Sequence, residues 1–253
     1  MIELSVAGWV LAVIAAIAVG LAKGGLSMVA VLSVPLLSLV MSPVQAAGIL
    51  LPVYIVSDIG GLVAYWRHAD WRVLKMLWPG ALLGVWIGWL TASLVPVEGV
   101  ELIVGLIGFA FALTALLRRA PEGPPRPGRW SAASFWGGIA GYTSFVSHSG
   151  AAPYQIYVQP LRLAPQVYAG TVTVFFAVIN AVKLIPYAAL GQLSPGNLGI
   201  AAMLTPVALA AVWAGVRLVK IMPPRAFYLF ITWALLLVSI KLIWDGGSGL
   251  LAG

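Results

Sequence analysis

Two short stretches gather most of the polar and helix-breaking residues of an otherwise apolar chain: LAKGGLS at Leu21–Ser27 and TSFVSHSGAAP at Thr143–Pro153. Lys23 and His148 supply cationic side chains there, and Ser27, Thr143, Ser147 and Ser149 supply hydroxyl donors, the groups that hold an anion. Gly24, Gly25 and Gly150 weaken a helix by roughly 1 kcal/mol each relative to alanine and free backbone to face a ligand. With Pro35 set against Pro160, Gly25 falls on Gly150, Gly24 on Ser149 and Lys23 on His148, so a basic side chain recurs at one position. Two such breaks meeting on a pseudo-twofold axis, with the N-terminal amides of the following half-helices pointing inward, would form an anion site near mid-depth of a membrane. The competing readings are structural. Lys23 can snorkel from the end of a full helix, His148 can be satisfied within a polar turn, and each hydroxyl can bond its own backbone.

A second constellation follows Pro43 and Pro165, where Gly48 aligns with Gly170 and, ten residues on, Asp58 aligns with Asn180. A carboxylate within an apolar span needs a partner, and Lys23 and Lys183 are the basic residues to supply it. Asp58 then reads either as a proton-coupling group, with protons as the coupling ion, or as half of a fixed ion pair. Lys183 stands about two turns before Leu190, close enough to an outer interface to snorkel.

The elements that must position these residues lie in lipid. Hydrophobic residues are 62% of the 253 and charged ones 8%, and the mean hydropathy is +1.03. The 14 basic and 7 acidic side chains cannot cover the polar surface that a soluble protein of this length presents. The pattern predicts an all-α polytopic membrane protein with five apolar segments in each half. In the first half they are Leu4–Ala22, Leu26–Met41, Val44–Trp66, Val73–Val95 and Val100–Leu117; in the second, Trp130–Val146, Ala151–Leu161, Gln166–Leu190, Leu198–Ile221 and Phe227–Trp244. Some are too short to span and read as broken or re-entrant helices. The start of the chain, with Glu3 and no basic residue before its apolar run, reads as a retained first helix rather than a cleaved leader.

The halves are related. A cassette P-x-A-L-x-x-V-W-x-G occurs from Pro79 and again from Pro206, matching Ala81 with Ala208, Val85 with Val212, Trp86 with Trp213 and Gly88 with Gly215, and closing at Pro96 and Pro223. The expected organisation is a first membrane repeat over 1–117, a Pro/Arg-rich linker over 118–129 and a second repeat over 130–253. Arg118, Arg119, Arg126 and Arg129 place that linker in the cytoplasm by the positive-inside rule, which puts both termini outside. The walk from there leaves Glu98, Glu101 and the turn at Gly191–Asn197 outside, with Arg67, Arg72, Lys75, Arg217, Lys220 and Arg225 inside. The two cassettes then run in opposite directions, which makes the repeats inverted, an arrangement characteristic of transporters. The net charge of +7 records this orientation rather than nucleic-acid binding.

Over nearly its whole length the sequence resembles the sulfite exporter TauE/SafE family, also called the 4-toluene sulfonate uptake permease family. The resemblance is carried by KGG at Lys23–Gly25 followed by Pro35, SPVQAAG at Ser42–Gly48, DWR at Asp70–Arg72, TSFVSHSG at Thr143–Gly150, AGT at Ala169–Thr171 and KLIWDG at Lys241–Gly246. It implies a bacterial inner-membrane permease of two homologous halves that moves small sulfur-containing anions such as sulfite, sulfonates or sulfoacetate. Many members carry longer glycine runs at the two breaks, so Lys23 and His148 imply a more cationic site here.

Energisation and chemistry are narrowed by what the sequence omits. It has no G-x-x-x-x-G-K-[ST] loop for nucleotide, which leaves a secondary carrier or facilitator that rocks around a fixed site, with Pro35, Pro52, Pro153, Pro160 and Pro186 as possible kinks. No H-E-x-x-H pair, no G-x-S-x-G elbow and no cysteine is present, so neither an enzyme nor a metal or other cofactor is expected. His68 lies in a basic loop and reads as solvated. The expected partners are a small anion and the lipid bilayer. An anion channel, or a carrier of carboxylates on the same fold, is the alternative reading.

Overall fold

The computed structural model describes residues 4–91, 94–117 and 127–252; most of the expected linker, 118–126, lies outside the described residues. The described residues form ten α-helices and no strand: α1 (Val6–Lys23), α2 (Ser33–Ser38), α3 (Pro43–Tyr65), α4 (Trp71–Thr91), α5 (Val97–Leu117), α6 (Trp130–Val146), α7 (Ala151–Val158), α8 (Pro165–Ala189), α9 (Pro195–Ile221) and α10 (Pro224–Ala252). Helices α1, α3, α4, α5, α8, α9 and α10 are long and apolar enough to cross a membrane. The protein is therefore an all-helical, multi-pass membrane protein.

Local chemistry starts several of these helices. Ser5 caps α1 by accepting from the Gly8 amide at 3.1 Å. Ser42 and Ser194 cap α3 and α9 by accepting from Gln45 and Asn197, each at 3.3 Å, with proline in the first turn that follows. Two expectations are adjusted. The segment after the first break is not one helix but a 3-10 turn over Ser27–Leu32 joined to the six-residue α2. Helix α10 runs on past Trp244, helped by the Lys241–Asp245 pair one turn apart and by Gly246, where a methyl group would come 2.5 Å from the Glu98 carbonyl oxygen.

The chain divides into two compact units, and each draws on both halves of the sequence. The first, Met1–Asp70 with Gln166–Met222, holds α1, α2, α3, α8 and α9. Its core is built where α1, α3 and α9 pack, from Ala12, Ala15, Ala16, Val19, Ile49, Leu50, Val53, Leu204 and Ala208. Small residues let the helix backbones approach, as membrane helices favour. A methyl group on Gly20 would overlap the Ala208 carbonyl oxygen, and one on Gly24 would come 2.7 Å from the Gly215 Cα. Tyr54 ties α2 to α3 by sharing a hydrogen bond with the Ser33 hydroxyl at 2.5 Å.

The second unit, Trp71–Pro165 with Pro223–Gly253, holds α4, α5, α6, α7 and α10. Here α4 packs on α6 and α5 on α10. Methyl groups on Gly80, Gly84 and Gly141 would overlap carbonyl oxygens of Ser134, Gly138 and Ala81 respectively. Short α7 is fastened to α10 through buried Gln155, whose amide donates to the Ile231 carbonyl at 2.8 Å, and through Gln159, which donates to Thr232 at 2.6 Å. Leu83, Trp86, Leu90, Leu106 and Leu237 project outward, as suits contact with lipid.

The two units share a design. In the first, α1 packs against the α9 cassette, with Gly20 on Ala208; in the second, α6 packs against the α4 cassette, with Gly141 on Ala81. Ala81 and Ala208 are the same cassette position, so the first helix of each half meets the fourth helix of the other at equivalent residues.

Candidate functional site

The first break is a helix end closed by its own backbone. The amides of Gly25 and Leu26 donate to the carbonyls of Ala22 at 3.1 Å and Leu21 at 3.2 Å, with Gly25 at φ +109°. This is the Schellman arrangement, which requires a residue free of a Cβ penalty at that position. The amides of Gly24, Gly25 and Leu26 are thus used to close α1, the Gly24 amide bonding Gly20 at 2.8 Å, rather than left facing a ligand as the sequence suggests. Two carbonyls at the helix end accept side chains: Lys23 from Thr173 at 3.3 Å and Gly24 from the Tyr65 hydroxyl at 3.0 Å. Because the next element is a 3-10 turn, no α-helical N-terminus follows this break.

Lys23, the last residue of α1, is buried rather than snorkelling. Its Nζ stands 2.7 Å from Asp58 Oδ1, with side chains 7% and 5% exposed. The other oxygen, Asp58 Oδ2, accepts from Asn180 Nδ2 at 2.8 Å. The rings of Tyr54 and Phe176 lie 5.1 and 5.9 Å from the ammonium, within cation–π range. Lys183 is buried too, so its snorkelling reading does not hold, and it lies in electrostatic reach of Lys23 and Asp58. All of these residues belong to the first unit. Of the two partners that the sequence offers for Asp58, Lys23 forms a direct ion pair with it.

Continuing the alignment of Pro43 with Pro165 and Asp58 with Asn180 sets Tyr54 on Phe176 and Tyr65 on Tyr187. Asp58, Tyr54 and Phe176 surround one atom, Lys23 Nζ, and Asn180, the aligned partner of Asp58, holds that carboxylate from its other oxygen. Gly48 of α3 packs against Gln192, beyond the end of α8, while Gly170 of α8 packs against Tyr65 at the end of α3; a methyl group on either would come 2.8 Å from the facing carbonyl oxygen. Helices α3 and α8 therefore cross antiparallel, and the aligned residues Asp58 and Asn180 meet between them. Sequence reasoning missed Tyr54 and Phe176 because an aromatic residue in an apolar helix carries no signal by itself. The signal was their shared spacing of four residues before Asp58 and Asn180.

Ser27 and Ser57 are buried, and neither hydroxyl makes a hydrogen bond. They are donors available within the same unit.

The second break belongs to the other unit and is described by itself. Thr143 donates to the Ile139 carbonyl at 2.7 Å, Ser147 to the Thr143 carbonyl at 3.3 Å, and Ser147 and Ser149 share a bond of 2.5 Å. The amides of Ser147 and Ser149 close α6 on the Thr143 carbonyl at 3.0 and 3.3 Å, and Gly150 precedes α7. His148 is half-buried at φ 54°, the left-handed region that favours glycine. It shares with Gly25 of the first break a left-handed backbone at the residue that turns the chain out of the helix. The packing of Gly20 and Gly141 on equivalent cassette residues carries Lys23 onto Ser144 instead. Neither register places Lys23 on His148, because the run from the break to the proline differs in length and in helix type between the halves.

A family model described as sulfite exporter TauE/SafE matches residues 11–242, nearly the whole chain. Comparison with curated proteins and with solved structures returns no match.

Proposed function

Because the chain belongs to the sulfite exporter TauE/SafE family, we propose that it is a secondary carrier of small sulfur-containing anions, sulfite, sulfonate or sulfoacetate in type, across the bacterial inner membrane. The observation that carries this reading is the Lys23 ammonium, buried at the end of a membrane helix and held by a single carboxylate. A cation kept in a membrane span at the expense of its hydration is retained for a charged ligand or for a switch. Ser27 and Ser57, the buried hydroxyls without partners, are proposed to complete the anion's hydrogen bonds, while Gly24 and Gly25 shape the break. In the other unit, taken by itself, Thr143, Ser147, His148, Ser149 and Gly150 are proposed as anion-contacting residues, with His148 as the one to test first.

The repeats are proposed to be inverted, with 118–129 cytoplasmic. The antiparallel crossing of α3 and α8 at equivalent residues supports this, as does the reciprocal packing of α1 with α9 and α6 with α4.

The test is uptake of radiolabelled sulfite, sulfoacetate and taurine into proteoliposomes by wild type, Lys23→Ala and His148→Ala. The expected result is saturable uptake with counterflow, abolished in Lys23→Ala. Saturable uptake indifferent to both substitutions rejects the site and keeps the carrier. Flux that neither saturates nor shows counterflow identifies a channel.

A further inference from the structure

Asp58 and a transported anion have the same claim on Lys23. The ammonium has one carboxylate at 2.7 Å and aromatic rings 5.1 and 5.9 Å away, so an anion that pairs with Lys23 competes with Asp58 for it. Once displaced, Asp58 is a carboxylate buried in a membrane helix, and it must find another cation or take a proton. Its second oxygen rests on Asn180, at 2.8 Å. A side-chain amide carries both a donor and an acceptor, so Asn180 can donate to the ionised carboxylate and, by turning its oxygen inward, accept from the protonated acid; an ammonium can do only the first.

We propose that Asp58 is an internal competitor for the substrate at Lys23, and that one proton enters on Asp58 for each anion that binds. This rests on the anion-carrier reading and names its coupling ion. The balance is simple. The neutral Lys23–Asp58 pair, one monovalent anion and one proton give a neutral product in which the anion is paired with Lys23 and the new O–H of Asp58 is held by Asn180. The anion and the proton leave together on the opposite side, when Asp58 gives up its proton and returns to Lys23.

The groups that face Asp58 are Lys23 of α1, Tyr54 of its own helix, and Asn180 and Lys183 of α8; Tyr187 of α8 lies in electrostatic reach of Tyr54. Lys183 is the rival destination for the freed carboxylate. If Asp58 passed to it, anion transport would move no proton.

Methanesulfonate separates these outcomes, because it stays fully ionised at working pH and carries no proton of its own. Wild-type protein in vesicles with a luminal pH dye should acidify the lumen by one proton per methanesulfonate taken up, and an imposed gradient, acid outside, should drive accumulation. Asp58→Asn should lose both effects while its half-saturation for methanesulfonate exchange falls about tenfold, since the competitor is gone. Saturable exchange by the wild type with no luminal pH change overturns the proposal and leaves the carrier reading standing. Absence of any saturable sulfonate flux overturns both. The wild-type proton count decides the matter even if Asp58→Asn fails to fold.

Discussion

At Lys23 a transport role and a structural role are separable by stability. Removing one partner of a buried ion pair strands the other, so Lys23→Met should lower unfolding free energy by about 3–5 kcal/mol, whereas Lys23→Met combined with Asp58→Leu should recover most of that loss. Thermal unfolding in detergent measures both, and transport should remain absent in the double variant although it is well folded. His148 offers the opposite experiment. Its left-handed backbone costs an L-residue roughly 1 kcal/mol, so His148→Gly should raise stability by about that amount. A gain in stability with loss of anion uptake would mark the histidine as strained for function. These two basic residues looked alike in the sequence, and their surroundings distinguish them: one ends a helix against a carboxylate, the other turns the chain.

At the scale of helices, the close approach of backbones sets the constraints. Gly20→Val and Gly141→Val each drive a branched side chain into a facing carbonyl and should abolish recovery of folded protein, one by parting α1 from α9 and the other by parting α6 from α4. Gly99 in α5 and Gly199 in α9 have open space beside them, and alanine at either should be neutral or stabilising by up to about 1 kcal/mol from helix propensity. Size-exclusion profiles and melting temperatures of the four variants make the comparison. The approximate extents of the long helices, apart from the end of α10, were legible from apolar runs. The 3-10 turn after Gly25 was not, since SMVAVL is as apolar as any helix and only its packing, with Ser27, Met28 and Val31 buried, shows its course.

For the whole molecule the absence of cysteine is an experimental advantage, because single reporters need no background removed. Gly191→Cys should label from the outside of sealed cells with an impermeant maleimide, and Arg225→Cys only after permeabilisation; the reverse pattern would invert the orientation drawn from the basic loops. The sequence by itself determined that the chain lies in lipid, that it is all-helical, and that Asp58 needs a basic partner, since hydropathy, periodicity and charge are properties of residue order. It did not determine that Lys23 pairs directly with Asp58, that Tyr54 and Phe176 flank the ammonium, or that His148 shares the left-handed backbone of Gly25. Those were decided only by tertiary structure. Pairings between residues as far apart as Asp58 and Asn180 depend on where α3 and α8 cross, and no local pattern records the crossing of two helices 122 residues apart at that point.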